Sequence, residues 1–266
     1  MQDRYVGDIG DFVKFAILRA LSPGRQPGIA WWLHPTHGPA GDGKHIGYLG
    51  SPEKWRHLDP DLFDALKQIV SSGQRHTSAI ERAALLPGAA LFNETIPIEG
   101  PPGLRPSRRS GWLLRLNKSF DDRDLVFIDP DNGFEPESFN LRRARAGKSV
   151  GLTELEVLAR PGRVLIIYHH QTRRAGGHSE ELVYWAGRLR SHRFERVDVS
   201  RANPSSARAF FILGSDDEMR HRAAELSERW QDRITWHANE SLAWSKTHVR
   251  LDWRNAEPRT PTIMNG

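Results

Sequence analysis

The chain has 266 residues, 38 Lys+Arg against 33 Asp+Glu, a formal net charge of +5 and no cysteine, with a sequence pI of about 9.7. Disulfides, thiolate metal sites and cysteine nucleophiles are therefore excluded, and no window approaches the roughly 18 consecutive apolar residues of a membrane span. The length suits one large domain or two small ones with a sizeable core; the first residues carry Asp3, Arg4, Asp8 and Asp11 instead of an apolar export segment, so a cytoplasmic location is expected.

Residues 8–21 place Phe12, Phe15, Ala16, Leu18, Ala20 and Leu21 at helical spacing, with Asp8 or Asp11 as the cap and Pro23-Gly24 as the stop. Gly28–Leu33 reads as a short buried strand and runs into a glycine-rich stretch, 34–44, that is not regular structure. Residues 60–85 read as helices with Leu62, Phe63, Leu66, Ile69 and Val70 on one face, broken by Pro87-Gly88. A strand over Ala90–Ile96 follows, then a Pro-, Gly- and Arg-rich mobile loop over 97–109 and a helix from Trp112. Leu125–Asp129 is an apolar run ending in Asp129-Pro130-Asp131-Asn132-Gly133, the pattern of a strand buried on both faces.

Residues 135–150 read as an exposed polar excursion, 153–158 as a short helix, and Arg163–Tyr168 as a strand leading into His169-His170. A helix over Ser179–Leu189, strands over Glu195–Val199 and Arg208–Leu213, and a helix over Met219–Trp230 complete the order. The alternation predicts an α/β fold, doubly wound around a mainly parallel sheet. It spans residues 1–230 with a helical insertion at about 50–86, and 231–266 is a C-terminal extension. Trp31, Trp32, Trp55, Trp112, Trp185 and Trp230 are expected in packing; in the extension, Trp236, Trp244 and Trp253 suggest packing and the end beyond Glu257 suggests disorder.

In open α/β sheets, ligands bind outside the carboxyl ends of the strands. The glycine-rich loop, the Asp129–Asn132 turn and His169-His170 all follow strands, so a doubly wound sheet sets them along one edge; Asp8–Asp11 with Lys14 opens the first helix. The loop lets a ligand approach backbone amides, although it has neither the dinucleotide fingerprint nor the Lys-Ser/Thr pair of a P-loop. Glu94 follows the next strand, where a carboxylate can hold ribose hydroxyls. His169 has an intrinsic pKa suited to acid–base work near neutrality, with Asp131 as its natural partner. The spacing of Asp11 and Lys14 also suits a local ion pair. Arginine clusters at Arg105/Arg108/Arg109, Arg142/Arg143/Arg145 and Arg173/Arg174 suit phosphates and a polyanionic partner, while GC-rich coding accounts for them equally well.

The order of these motifs resembles the bacterial 23S ribosomal RNA adenine-N6 methyltransferase family of Rossmann-like enzymes that use S-adenosylmethionine. Gly7-Asp8-Ile-Gly-Asp11-Phe-Val-Lys14 stands where that family has Gly-Asn-x-Ala-Asp-x-x-Lys, and Thr36-His37-Gly38-Pro-Ala-Gly41 resembles its Thr-His-Ala-Gly-Ala-Gly loop. Ile128-Asp129-Pro130-Asp131-Asn132 corresponds to Ile-Asp-Pro-Pro-Tyr, and Tyr168-His169-His170 to an aromatic and proline strand end. The resemblance covers roughly residues 5–230. A group of bacterial proteins sharing the Asp42 to Ile46 stretch, the Asp-Pro-Asp-Asn-Gly box and the Tyr-His-His end is also similar.

The resemblance implies that Asp11, Lys14, Thr36, His37, Gly38, Gly41, Gly43, Glu94 and Pro130 bind S-adenosylmethionine. It implies that Asp129 orients the methyl acceptor, with Asp131, Asn132 and His169 shaping or activating it. Asn132 replaces the aromatic that stacks on a base, with Phe134 as a substitute; the added polar groups and His169 suit a smaller or differently placed acceptor and general-base help. Two other readings stay open. One is a metal-dependent nuclease or phosphoesterase with Asp129, Asp131, His169 and His170 around Mn²⁺ or Zn²⁺. The other is a catalytically inactive nucleic-acid-binding module using the Arg105–Arg109 and Arg142–Arg145 loops.

Overall fold

A computed structural model of the protein describes residues 3–35 and 43–242. In chain order the helices and strands begin with α1 (Ile9–Leu21), β1 (Pro27–Trp31), α2 (Pro52–Trp55), α3 (Pro60–Ser71), α4 (Thr77–Arg82), β2 (Ala90–Phe92) and α5 (Arg105–Ser119). They continue with β3 (Leu125–Asp129), β4 (Gly133–Phe134), β5 (Ser149–Val150), α6 (Leu152–Leu158), β6 (Val164–His170) and α7 (Gly177–Ser191). The chain closes with β7 (Val197–Ala202), β8 (Arg208–Leu213), α8 (Asp217–Trp230) and β9 (Ile234–His237).

Seven strands form one sheet in the order β2-β1-β3-β6-β8-β7-β9. The first four are parallel, and each of the remaining pairings, β6 with β8, β8 with β7 and β7 with β9, is antiparallel. Strand side chains alternate between two cores. Phe127, Ile166, Phe210 and Ile212 face α1, α3 and α8, while Val126, Ile128, Ile167 and Phe211 face α5, α6 and α7. With helices on both faces, β3 is buried along its whole length, as its unbroken apolar run requires. The expected α/β class and mostly parallel sheet are thus present, and α2, α3 and α4, between β1 and β2, pack on the α1 face. No helix among the described residues is long and apolar enough to cross a membrane.

Three expectations change. The 97–109 segment is not a loop throughout, because α5 starts at Arg105. Its Pro106 lies in the first turn, where the missing N–H costs nothing, so a residue read as a breaker begins the helix. The 135–150 excursion is only partly exposed: Ala146, Gly147, Ser149 and Val150 are buried, and β5 pairs with β4 in a separate small sheet. The strand at 90–96 is confined to β2, followed by one further bond from Ile96 N to Leu33 O (2.9 Å). After residue 230, β9 adds an edge strand beside β7 and brings Trp236 against the α1-side core. Trp244, Trp253 and the end beyond Glu257 lie outside the described residues.

Candidate functional site at the carboxyl edge of the sheet

The strand order reverses between β1 and β3, whose crossovers depart in opposite directions along the sheet. This is the topological switch point, where an open α/β sheet leaves a crevice for ligands. The register sets Trp31 opposite Asp129, so the two strands end level. Helix α1 approaches the same place with its N-terminus. Asp8 caps it by accepting from Asp11 N (3.1 Å), and Asp11 Oδ2 accepts from Gly7 N (3.0 Å), a reciprocal arrangement that fixes the first turn.

One turn later, Lys14 reaches across to the sheet. Its Nζ donates to Asp11 Oδ1 at 3.0 Å and to Asp129 Oδ2 at 2.8 Å, and all three side chains are nearly inaccessible. The local pair expected from helix spacing is real, but the same ammonium also fixes the carboxylate ending β3. Burial by itself would lower the Lys14 ammonium; Asp11 and Asp129 outweigh it and hold the group well above its ordinary value. Asp11 is pushed up to about 6 by burial, with Asp8 and Asp129 adding to the push against the pull of Lys14. Burial also raises Asp8, opposed by Arg208 and Lys14.

Beyond Asp129, Pro130 is buried, Asp131 half-buried and Asn132 exposed, with Asn132 N donating to Lys148 O at 2.9 Å. Gly133 has φ +90, and a Cβ there would lie 2.2 Å from His169 Nδ1, so only glycine lets the chain turn against that ring. His169 is completely buried. Its Nδ1 accepts from Phe134 N (3.2 Å), so Nε2 carries the proton and donates to Glu181 Oε1 (3.1 Å). Burial lowers its pKa, and the ring is neutral. Glu181 also accepts from Thr172 N and Oγ1; against the effect of burial, these bonds and His169 hold it down to about 2. Both nitrogens of His169 are thus committed to holding the turn, and its bonded carboxylate is Glu181 where Asp131 was expected.

His170, by contrast, is exposed. Its Nδ1 shares a 3.2 Å hydrogen bond with Tyr168 Oη, and burial and Arg208 lower its pKa. It lines a cavity of about 660 Å³ together with Asn132, Thr172, Arg174, Tyr184 and Trp185. Burial raises Tyr168 to about 12, with Arg208 and Lys14 opposing the push and Asp129 and Asp8 adding to it.

The other expected site residues fall in several places. Thr36, His37, Gly38 and Gly41 lie outside the described residues. Gly43 is tied to the N-terminal segment, its carbonyl accepting from Arg75 Nη2 at 2.6 Å. The Glu94 carboxylate is engaged by Arg115 at 2.8 Å in an exposed pair. Among the described residues, no three or more His, Asp or Glu side chains are grouped to hold a metal ion.

The two basic clusters do meet, since Arg105 Nη1 donates to Arg142 O at 2.7 Å. Arg108, Arg142, Arg143 and Arg145 are exposed. Arg109 departs from its expected place in a basic loop. It is buried in α5, pairs with Glu154 at 2.7 and 3.0 Å, and lies over the Trp32 and Trp112 rings. The loop carrying the second cluster packs on the carboxyl edge through His34 Nε2 and Ala144 O (3.3 Å) and through Asn132 N and Lys148 O.

Arg208 was not singled out from the sequence. It is a buried cation opening an otherwise apolar strand, and because β8 runs antiparallel its first residue lies at the carboxyl edge, opposite His170. A charge at the start of Ala-Phe-Phe-Ile-Leu was the available signal. No protein-family model matches the chain, and no curated protein matches it in sequence.

Proposed function

We propose that the protein is an S-adenosylmethionine-dependent methyltransferase with a Rossmann-like sheet, acting on a nucleic acid or nucleotide-like acceptor. The observation that carries this reading is the Lys14 bridge at the switch point, which holds Asp129 rigidly at the end of β3, level with the end of β1. Methyl transfer depends largely on setting an acceptor in line with its donor, so a fixed carboxylate beside the cofactor crevice is the device the reaction needs. The donor set also fits the cofactor: Asp8, Asp11 and Asp129 place buried carboxyl groups along this edge, a favourable setting for a cationic sulfonium. When bound, the cofactor supplies an electrophilic methyl group.

The chain's residues do the rest. Asp129, and Pro130 through its carbonyl, accept hydrogen bonds from the acceptor and orient it. Asn132 and His170 face the cavity beside that turn, with Tyr184 and Trp185 as aromatic walls. His170 is neutral near pH 7 and takes the proton released by the acceptor, while His169 positions the turn. The exposed Arg108, Arg142, Arg143 and Arg145 draw a phosphate backbone toward the edge.

Calorimetric titration with S-adenosylmethionine and S-adenosylhomocysteine, without metal, tests the cofactor. Transfer of labelled methyl to cellular RNA and DNA, abolished in Asp129→Ala, tests the site. Binding of neither compound overturns the reading; metal-stimulated nucleic-acid cleavage lost in Asp131→Ala would install the nuclease reading instead.

A further inference from the structure

A cavity of about 740 Å³ opens at the amino edge of the sheet, the end opposite the Asp129 turn. Leu165, near the start of β6, and Leu213, the last residue of β8, are register partners and line it, so it lies on the α6 and α7 face. Phe194, which follows α7, adds an aromatic ring to this apolar lining. The volume suits a small-molecule cleft, roughly 300–1,000 Å³. The methyl-transfer chemistry at the other edge makes no use of it.

Arginine dominates the polar lining. Arg160, Arg163, Arg193 and Arg196 line the cavity against Glu156 and Glu195, and Glu156 already accepts from His192 Nδ1 at 2.8 Å. The four arginines are differently engaged. Arg163 is scaffold: it is buried and donates to Leu158 O, Asn117 Oδ1 and Arg123 O at 2.8, 2.9 and 3.0 Å. Arg160 and Arg196 are tethered by one nitrogen each to Phe120 O and Ser215 O, and they reach Asp121 and Asp217 at 3.5 and 3.3 Å. Arg193 is exposed, and among the described residues its guanidinium has no hydrogen bond or ion pair.

Arg193 also stands where the backbone asks for glycine. Its N donates to Arg190 O (3.1 Å) and Phe194 N donates to Leu189 O (3.2 Å), the paired bonds of a Schellman turn closing α7, and its φ is +68. Glycine takes this left-handed position freely, whereas a side chain brings its Cβ into conflict with the backbone. An unpaired guanidinium at a strained position beside a cavity is placed for a ligand, not for the fold.

We infer that this cavity is a second binding site, for a phosphate ester of mononucleotide size with a flat apolar body: the phosphate on Arg193 and Arg196, the body on Phe194, Leu165 and Leu213. Guanidinium forks match phosphate oxygens, and the aromatic and aliphatic lining suits a planar ring. The inference does not depend on the methyltransferase reading.

The test is calorimetry on the full chain with adenosine 5′-monophosphate, adenosine and inorganic phosphate. The nucleotide should bind more tightly than either half. Arg193→Gly should weaken the nucleotide about 10-fold, the worth of a hydrogen bond between charged groups, yet raise the midpoint of urea unfolding, because glycine relieves the turn. Tyr184→Ala, in the cavity at the opposite edge, should leave nucleotide affinity unchanged. Nucleotide binding no tighter than that of inorganic phosphate would overturn the site, as would binding that survives Arg193→Gly and is lost in Tyr184→Ala. A lower unfolding midpoint in Arg193→Gly would assign the arginine to the fold and overturn its role here.

Discussion

Two buried arginines on opposite faces of the sheet show how differently one residue type can be used. Arg109 and Arg208 are 4% and 5% exposed. Arg109 donates twice to Glu154 and once to Ser149 O, and Trp32 and Trp112 cover its plane. Glu154 in turn accepts from Gly151 N at 2.7 Å. That arrangement joins α5, β5 and α6 and leaves nothing for a ligand to add. Among the described residues, Arg208 Nε and Nη1 find no hydrogen-bond partner, and the side chain lies against the first turn of α1. Burial alone does not separate scaffold from site; completeness of hydrogen bonding does.

The sharpest way to break this comparison is to disrupt the completed pair. Glu154→Ala leaves the Arg109 guanidinium buried beside two indoles without its carboxylate, and stability should fall by about 3–5 kcal/mol. Urea unfolding measures this. A loss under 1 kcal/mol would mean that the pair is not the scaffold described. At the site, Lys14→Met should cost less, about 2–3 kcal/mol at pH 7, because the stranded carboxyl groups can take up protons instead of remaining charged. The sign with pH follows from Asp11, whose folded pKa is raised to about 6 from an ordinary 3.8. The native state binds the extra proton, so this contribution is present at low pH and is lost as pH rises through about 6. Removing Lys14 raises Asp11 further, and the stability gap between variant and wild type should narrow from pH 7 to pH 5. A gap that widens toward pH 5 would contradict the shared-ammonium arrangement.

Glu181 behaves in the opposite sense. Its folded pKa is lowered to about 2 from 4.5, so its contribution is present above pH 4.5 and is lost as pH falls toward 2. Glu181→Gln should cost about 1.5–3 kcal/mol at pH 7, the worth of hydrogen bonds to a charged group, and the deficit should fade below pH 4. An unchanged acid-unfolding curve would remove His169 and Glu181 from the support of the turn.

Much of the scaffold around these residues was legible. The apolar run of β3, its Asp-Pro end and the capped helix at 9–21 follow from local pattern, and a mostly parallel sheet follows from their alternation. The site was legible as a set of strand ends but not as contacts. Lys14 and Asp129 are 115 residues apart, and their meeting depends on sheet register, which no local pattern encodes. Arg109 stood in an arginine cluster and read as surface; its spacing of three from Trp112 on one helix face was the hint that it packs inward. Arg208 was hidden by the antiparallel return of β8, which turns the beginning of a strand into part of the carboxyl edge.

The smallest effect on stability separates the exposed arginines from both buried ones. Arg142, Arg143 and Arg145 are exposed on the loop packed over the carboxyl edge. Changing all three to Ala should alter stability by no more than about 0.5 kcal/mol per residue, the usual range for surface positions. The same change should weaken binding to single-stranded RNA and flatten the dependence of log K on log salt by about 0.7 for each phosphate left without its arginine. Fluorescence anisotropy across a salt series reads both quantities, and the weakening should be similar for unrelated sequences because phosphate groups carry no base information. Unaltered affinity and slope would leave the basic loop without a role in nucleic-acid binding and move the acceptor search toward small nucleotide-like molecules.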